Sequence, residues 1–245
     1  MKNLTLITCS YNTPVVTINM LKSYTLLHPG CKILVCDNST EDSTRLQLQR
    51  ANIPFILNEG GLHAPSVDIL LQYVTTTYAL LVDTDVVFLK NHHDVYEQFV
   101  KMGLTLMGDI EGDRGGKKIH LRVHPWHCFI NVDHIKQHGL KFYDKARMTQ
   151  RGEVLYDVGS SLFEDVKKLK LKIADFKGGS SYYKHYEGMS WRVNRFGSNS
   201  PDGDIDNDKR ATHCNTALYE YGKHVEQMYL KETSHLDTQS LVYEA

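Results

Sequence analysis

The sequence lacks a long hydrophobic run. No apolar stretch approaches the roughly 20 residues that a membrane-spanning helix requires. Residues 1–7 contain too short an apolar part for a secretory signal peptide, and no cleavage site follows them. We therefore expect a soluble, cytoplasmic protein without a transmembrane segment.

Paired cysteines and an excess of one charge are also missing. The five cysteines are an odd number, and no two of them are spaced as Cys-x-x-Cys. This usage favours reduced thiols over a disulfide framework or a zinc cluster. Because 28 basic and 29 acidic side chains give a net charge of −1, binding of nucleic acid or of an anionic membrane would require a local basic patch.

The chain contains neither internal repeats nor low-complexity tracts. Its 245 residues, with 41% hydrophobic and 23% charged side chains, are enough to bury one large core. We predict a single domain over residues 1–245. Residues 1–90 form its first half, residues 91–210 its second half, and residues 211–245 a C-terminal helix and tail.

Apolar strands alternate with helical patterns in the first half. Strands are predicted at residues 4–8, 32–36, 54–57 and 78–82, and helices at residues 14–27, 42–50 and 65–76. This alternation predicts an α/β fold with a mixed, mostly parallel central sheet flanked by helices. In such a sheet, ligands bind beyond the carboxyl ends of the strands.

The second half is less regular. Helices are predicted at residues 92–102, 153–169 and 211–233, and strands at residues 104–108, 128–132 and 171–176. Residues 195–208 are rich in Gly, Ser, Asn and Asp, which indicates a loop. The alternate aspartates of this loop lack the glycine and the glutamate that a calcium-binding loop requires.

The segment Asp83-Thr84-Asp85 directly follows the fourth predicted strand. In an extended chain Asp83 and Asp85 point to the same side and Thr84 points away, so both carboxylates can contact one ion. A divalent cation would offset the repulsion between two buried carboxylates. Carboxylate oxygens suit Mn²⁺ or Mg²⁺. An isolated pair of this kind also occurs in solvated turns, so the other segments decide its meaning.

Polar segments follow all four predicted strands of the first half. They are residues 8–14, 36–42, 58–64 and 83–85. Their order and spacing resemble the nucleotide-sugar-binding half of family 2 glycosyltransferases, which have the GT-A fold. The resemblance covers residues 1–90 well and the remainder loosely, so residues 91–210 would supply the acceptor and catalytic half.

The resemblance implies a nucleotide-sugar donor, with a UDP-sugar as the expected one, and a bound Mn²⁺ or Mg²⁺. Asp37 would contact the base, although it is also a typical turn or helix-cap residue. Asp83 and Asp85 match the metal-binding carboxylates of the family. The family usually has Arg-Asn where this chain has Pro65-Ser66, so the role of those two side chains is not carried over. The remaining donor-binding residues would be Thr8, Ser10, Tyr11, Asn12, Asn58, Gly60, Gly61 and Thr84.

Two later segments would complete the site. His185 matches a late histidine that contacts the metal in many relatives, and imidazole is compatible with Mn²⁺. A packing or surface role is the alternative for any one of the 13 histidines. Asp157 falls roughly where the family has its catalytic base, with Glu164 and Asp165 as alternatives and a helix N-cap as a structural interpretation. Family 2 enzymes generally invert the anomeric centre.

Residues 114–127 concentrate basic and aromatic side chains. Trp126 could stack on an acceptor sugar. Alternatively, Lys117, Lys118 and Arg122 could hold a phosphate backbone while an aromatic ring stacks on a base. A third interpretation is a solvated hairpin with Trp126 packed on the core.

We therefore predict a metal-dependent, inverting glycosyltransferase that acts on a hydroxyl group of a glycan. The main alternative is a phage-type enzyme that glycosylates hydroxymethylated pyrimidines in DNA, where a duplex base would have to be flipped out. A sugar nucleotidyltransferase is a further alternative, but residues 8–14 lack the glycine and the basic residue of that class. A non-catalytic binding protein is a fourth possibility. The donor sugar and the oligomeric state are left open.

Overall fold

Strands and helices alternate through the first half of the chain, as predicted. The computed structural model describes residues 2–114, 117–150, 152–176, 179–186, 216–236, 239–241 and 243–244. The first elements are β1 (Leu4–Ser10), α1 (Pro14–Leu27), β2 (Cys31–Asp37), α2 (Asp42–Arg50), β3 (Phe55–Leu57), α3 (His63–Tyr73) and β4 (Tyr78–Val82). The bounds of α1, α2 and β4 are those predicted, whereas α3 begins and ends earlier than residues 65–76.

The second half departs more from the prediction. Its elements are β5 (Val86–Phe88), α4 (His93–Lys101), β6 (Leu106–Arg114), β7 (Lys117–Asn131), α5 (Val132–His138), α6 (Lys145–Met148), α7 (Ser160–Lys168), β8 (Ile173–Asp175), β9 (Tyr183–His185), α8 (Thr216–Thr233) and β10 (Tyr243–Glu244). β7 is 15 residues long, so the strand predicted at residues 128–132 was too short. The helix predicted from residue 153 begins only at Ser160, because Leu155 forms a β-bridge with Ile119. The predicted loop at residues 195–208 and residues 211–215 lie outside the described residues.

The main sheet is mixed and mostly parallel. Its strand order is β10-β2-β1-β4-β7-β6-β8, and β3 also pairs with β2. β7 pairs antiparallel with both β4 and β6. Every other pairing of the main sheet within the described residues is parallel. The carboxyl ends of β1, β2, β3, β4, β6 and β8 therefore meet at one edge. This arrangement confirms the predicted fold class.

Hydrophobic residues cover both faces of the main sheet. Leu4 and Leu6 of β1 pack in one buried cluster with residues of α1 and α4. Ile7 points to the opposite face and packs in a second cluster with residues of α3, α5 and α7. Such coverage by helices on both faces is typical of α/β proteins. Among the described helices, none combines the length and the hydrophobicity that crossing a bilayer requires.

A second, two-stranded sheet lies beside the end of β4. β5 and β9 pair antiparallel, with Val86 opposite His185. α8 covers this small sheet, and Tyr229 of α8 packs in a buried cluster with Val87 and Tyr186. The Tyr229 hydroxyl also donates a hydrogen bond to the carbonyl oxygen of Val16 (3.1 Å). The small sheet thereby brings His185 next to the segment that follows β4.

Candidate active site

Three side chains with metal-ligating atoms converge beyond the carboxyl end of β4. Asp83 directly follows β4, Asp85 directly precedes β5, and His185 ends β9. One ligand atom from each lies within 4.8 Å of the others. His185 Nε2 lies 3.2 Å from Asp85 Oδ1, and Asp85 is only 5% exposed. Two carboxylates and an imidazole form a donor set that fits Mn²⁺ and is compatible with Mg²⁺.

Backbone and ring contacts fix this group of three residues. The Asp83 N–H donates to the carbonyl oxygen of Trp126 (3.0 Å), and the Tyr186 N–H donates to that of Asp85 (3.0 Å). The indole of Trp126 stacks on the imidazole of His185, with ring centroids 4.6 Å apart and an interplanar angle of 10°. Trp126 thus packs against the candidate metal site with one face covered. This contact matches the packed interpretation of Trp126 better than stacking on an acceptor.

The surroundings of Asp83 disfavour its charged form. Burial raises the pKa of the Asp83 carboxyl, and the nearby charge of Asp85 raises it further, whereas His63, His185 and Arg122 lower it. His63 Nε2 lies 3.6 Å from Asp83 Oδ1. Sequence reasoning assigned no role to His63, although it belongs to the polar segment after the third strand. Asp83 is half-buried, and a partly buried acid with a like-charged neighbour is typical of functional sites.

The loops after β1, β2 and β3 are joined by hydrogen bonds. Asn12 adopts a left-handed conformation (φ +50°), and its N–H donates to Ser39 Oγ (2.8 Å). The Thr40 N–H returns a hydrogen bond to Asn12 Oδ1 (3.1 Å). The backbone N–H of Asn58 donates to the carbonyl oxygen of Asp37 (2.8 Å). The three segments predicted to hold a nucleotide are therefore contiguous at the sheet edge.

Asp37 is a completely buried carboxylate at the end of β2. Its Oδ1 accepts a hydrogen bond from the Ser39 N–H (3.1 Å). Among the described residues, no donor contacts its Oδ2, although this atom is buried. A buried acceptor without a donor is costly, and an N–H group of a ligand would satisfy it. Asp37 therefore fits the predicted contact with a nucleobase.

Other predicted donor-binding residues differ in their exposure. Thr8 and Ser10 are fully buried, and Ser10 Oγ lies 2.9 Å from Thr17 Oγ1, so these two support the loop from inside. Thr84 is also buried. Tyr11 is half-buried. The structure thus brings these residues to the predicted edge but turns most of them inward.

The loop after β3 requires glycine at two adjacent positions. Gly60 has a φ of +64°, a conformation that favours glycine. At Gly61 an added Cβ would lie 2.0 Å from Asn58 Nδ2 and 2.7 Å from the Asn58 carbonyl oxygen. The Asn58 amide in turn donates to Ser66 Oγ of α3 (2.9 Å). The tight turn therefore fixes the Asn58 side chain between the loop and α3.

Substituting Gly61→Ala is expected to distort this loop. Because a backbone oxygen is among the atoms contacted, the free energy of unfolding should fall by about 1–3 kcal/mol. Affinity for a nucleoside diphosphate, the ligand that the sequence predicts for this loop, should fall as well. Denaturant unfolding and calorimetric titration measure the two effects. Gly152→Ala is the matched control, since a Cβ there would lie 3.7 Å from the nearest atom. Equal behaviour of the two variants would contradict the prediction.

Arg122 of β7 is buried between two carboxylates. Its exposed fraction is 4%. Nε donates to Glu111 Oε1 (2.8 Å), which Nη2 also contacts, and Nη1 lies 2.9 Å from Asp157 Oδ2. The sequence suggested that Arg122 contributes to an exposed basic surface. The structure instead buries Arg122 inside the protein, where two acids neutralise its charge. Lys118 is exposed, and the side chain of Lys117 lies outside the described part.

The three candidate catalytic acids fall into two groups. Asp157, whose side chain is 12% exposed, contacts Arg122, which also acts on the charge of Asp83. Glu164 belongs to a separate cluster, where it contacts His120 Nδ1 (3.2 Å), and Asp165 pairs with Arg147 (2.9 Å). The N-cap position of α7 is occupied by Gly159, so Asp157 is not the N-cap residue. Of these three acids in the described part of the chain, only Asp157 pairs with Arg122.

Two further acids at the same edge were missed. Asp109 lies in β6 where the strand register shifts between Gly108 and Ile110. Burial raises the pKa of Asp109, and so do the charges of Asp175 and Glu111. Asp175 ends β8, and its Oδ1 accepts a hydrogen bond from the Ile110 N–H (3.2 Å). The sequence did contain a signal for Asp109, because this residue directly follows a predicted strand, just as Asp83 does.

Comparison with known proteins adds information on the fold only. No family model matches the sequence, and no curated protein sequence is similar to it. Several solved structures share its architecture. A mannosyltransferase of Pyrobaculum calidifontis, solved with GDP-Man and Mn²⁺, has a TM-score of 0.52 and 12% identity over 96% of this chain and 78% of its own. Residues 1–349 of S. aureus TarS have a TM-score of 0.52 and 15% identity, over 78% of this chain and 62% of the TarS fragment.

A third similar structure is glucosyl-3-phosphoglycerate synthase from Mycobacterium tuberculosis, solved with phosphoglyceric acid. Its TM-score is 0.51, with 11% identity over 71% of this chain and 70% of that one. The chain spans only 50% of the TarS fragment in its complex with UDP. At such low identity these similarities establish architecture and no more. The chain has a GT-A-like glycosyltransferase fold, as its first 90 residues indicated.

Proposed function

We propose that the protein is a metal-dependent glycosyltransferase. It moves a sugar from a nucleotide diphosphate sugar, preferably a UDP-sugar, to a hydroxyl group of a glycan, with inversion. The observation that carries the proposal is the convergence of Asp83, Asp85 and His185 within 4.8 Å. This group lies at the edge of a GT-A-like sheet, where the three joined loops would hold a nucleotide.

The donor half of the site matches the charge that develops during transfer. Departure of a nucleoside diphosphate places negative charge on phosphate oxygens. A bound Mn²⁺ or Mg²⁺ supplies Lewis-acid stabilisation of that charge. Asp83, Asp85 and His185 would hold the ion, while Asp37 Oδ2 accepts an N–H of the base. The loops after β1, β2 and β3 orient the nucleoside through their mutual hydrogen bonds.

The acceptor half supplies a general base. A sugar hydroxyl is a weak nucleophile and needs a carboxylate or histidine within hydrogen-bond reach. We assign this role to Asp157, which takes the proton of the attacking hydroxyl. Glu164 and Asp165 belong to a different cluster, with His120 and Arg147. The basic partner of Asp157 is Arg122, whose charge also acts on Asp83. A base that activates direct attack on the anomeric carbon leads to inversion, in agreement with the resemblance.

A glycan is favoured over modified DNA as the acceptor. The DNA alternative depends on a basic surface formed by Lys117, Lys118 and Arg122. Arg122 is buried and neutralised, which weakens that surface. The nucleotidyltransferase alternative is disfavoured by the loop after β1, which contains no glycine and no basic residue. A cytoplasmic location stays a prediction.

A release assay across donors tests the proposal. The purified protein is incubated with UDP-, GDP- and dTDP-sugars, Mn²⁺ or EDTA, and glycan or hydroxymethylated DNA acceptors. We expect UDP release that requires both Mn²⁺ and a glycan. Turnover that persists in EDTA would refute the metal-dependent mechanism. Transfer to DNA alone, or pyrophosphate release from a nucleoside triphosphate and a sugar phosphate, would establish one of the alternatives instead.

A further inference from the structure

An arginine is bridged between two acids beside the candidate metal site. Arg122 contacts Glu111 through Nε and Nη2, and Asp157 through Nη1 (2.9 Å). Its side chain is 5% exposed, against 12% for Asp157 and 32% for Glu111. Hydrophobic residues of similar volume often stabilise a core as well as such a bridge does. Only a guanidinium, however, holds two carboxylates at fixed angles.

We propose that Arg122 is a positioning residue, whose guanidinium holds the Asp157 carboxylate at the acceptor side of the metal site. The inference rests on the proposed function, in which Asp157 is the general base. It assigns to Arg122 a different role from the phosphate contact that the sequence suggested. Arg122 acts through Asp157 and does not touch the substrate.

Glu111 lies opposite Arg122 in an irregular part of the pairing between β6 and β7. The two residues are direct partners in the register of β6 and β7. The register shifts on both sides of this pair, between Gly108 and Ile110 and between Glu111 and Asp113. Bulges of this kind redirect side chains and are common next to active sites. Glu111 therefore anchors one side of the guanidinium from a strand whose geometry is adapted locally.

The chain segment that carries Asp157 is fixed against β7 at the other side of Arg122. Arg122 Nη1 also donates to the carbonyl oxygen of Val158 (3.3 Å). Gly159 has a φ of +87°, and an added Cβ there would lie 3.0 Å from the carbonyl oxygen of Val123. The start of α7 thus approaches β7 as closely as a glycine permits. Asp157 is held by its backbone and by its carboxylate together.

Glu111 extends the same network to the metal site. His124 Nε2 lies 3.3 Å from Glu111 Oε1. The Trp126 N–H donates a hydrogen bond to His124 Nδ1 (3.3 Å). Trp126 stacks on His185, the predicted metal ligand. A continuous series of contacts therefore links the base to the residues that would hold the ion.

The substitution Arg122→Lys tests the proposal, because it keeps a positive charge but removes the planar fork. We expect the crystal structure of the variant to show the Asp157 carboxylate displaced. We expect kcat to fall about 10- to 100-fold, since a displacement of about 1 Å can cost 100-fold. KM for the donor and the calorimetric affinity for UDP with Mn²⁺ should not change. Arg147→Lys makes the same change in an arginine paired with Asp165 and should leave kcat unaltered.

A double variant separates positioning from a general structural effect. In an Asp157→Asn background, Arg122→Lys should cause no further loss of kcat, because its effect passes through Asp157. An additional loss of similar size, an unmoved Asp157 carboxylate, or wild-type kcat in Arg122→Lys would overturn the proposal. If the wild-type protein transfers no sugar, the proposed function fails. The position of Asp157 in the variant crystal structure then still decides whether Arg122 holds it.

Discussion

The variant Asp85→Asn is expected to transfer sugar about 10³-fold more slowly than the wild-type protein, with the fold intact. A cation contributes several kcal/mol to transition-state stabilisation, and about 1.4 kcal/mol corresponds to a factor of ten in rate. Asp85 is nearly buried and lies 3.2 Å from His185, so an asparagine there removes a charged oxygen from the group that would hold the ion. An amide is a much weaker ligand for a hard cation.

In the absence of metal, the free energy of unfolding of Asp85→Asn should not fall along with its activity. The two carboxylates repel each other, because the charge of Asp85 disfavours the charged form of Asp83 and raises its pKa. Asparagine fills the same volume without that repulsion. The free energy of unfolding in EDTA should therefore be equal to or higher than that of the wild type. Loss of activity together with retained stability distinguishes a functional residue from a structural one.

Thermal unfolding with Mn²⁺ and with EDTA completes this test. Because an ion that binds only the folded state stabilises it, Mn²⁺ should raise the Tm of the wild type but not that of Asp85→Asn. Asp133→Asn, an exposed acid on α5, serves as the control and should keep both turnover and the Mn²⁺ effect. A Tm increase of equal size in Asp85→Asn would contradict the assignment of Asp85 as a ligand.

The first half of the fold was predictable because its signals are local. Apolar runs define β1, β2 and β4, and helical patterns define α1 and α2. The alternation of strands with helices implies parallel pairing. Parallel pairing in turn places the residues after each strand at one edge. The placement of Asn12, Asp37, Asn58 and Asp83 at one edge of the sheet therefore follows from topology, without any knowledge of side-chain contacts.

The environment of Arg122 was not predictable, because its partners are distant in sequence. Glu111 lies across an irregular hairpin, and Asp157 lies 35 positions further along the chain. Residues 117–127 contain many polar side chains, so they gave no clear strand signal, and the basic ones indicated an exposed surface. Burial of a charge depends on acids that only the tertiary structure brings together. The same limit applies to His63, whose contact with Asp83 joins two separate loops.

Acidification is expected to weaken the fold through three buried histidines. Burial lowers the pKa of His28 to about 4 and that of His92 to about 3, and it lowers the pKa of His127 well below its ordinary value. His92 and His127 stack with centroids 5.2 Å apart, and the His92 N–H donates to His28 Nε2 (3.4 Å). Protonation would place neighbouring charges in this core and break that hydrogen bond.

The sign and the size of this change in the free energy of unfolding follow from proton linkage. Between the unfolded pKa and the lower folded pKa, the unfolded chain binds more protons, so stability falls as the pH falls below about 6.5. At about pH 5, His28 and His92 should each remove about 2 kcal/mol of the free energy of unfolding. His127 acts in the same direction. Burial raises the pKa values of Asp68, Asp83 and Asp109, so these carboxyls partly offset the loss.

The variant His92→Phe isolates the histidine contribution from that offset. Phenylalanine retains an aromatic ring beside Phe88 and Tyr183 but cannot bind a proton. Between about pH 7.5 and about pH 5, its free energy of unfolding should fall by about 2 kcal/mol less than that of the wild type. Denaturant unfolding at both pH values measures the difference. His93→Gln alters an exposed neighbour and should follow the wild type. Parallel pH profiles for wild type and His92→Phe would show that His92 is not held neutral by burial.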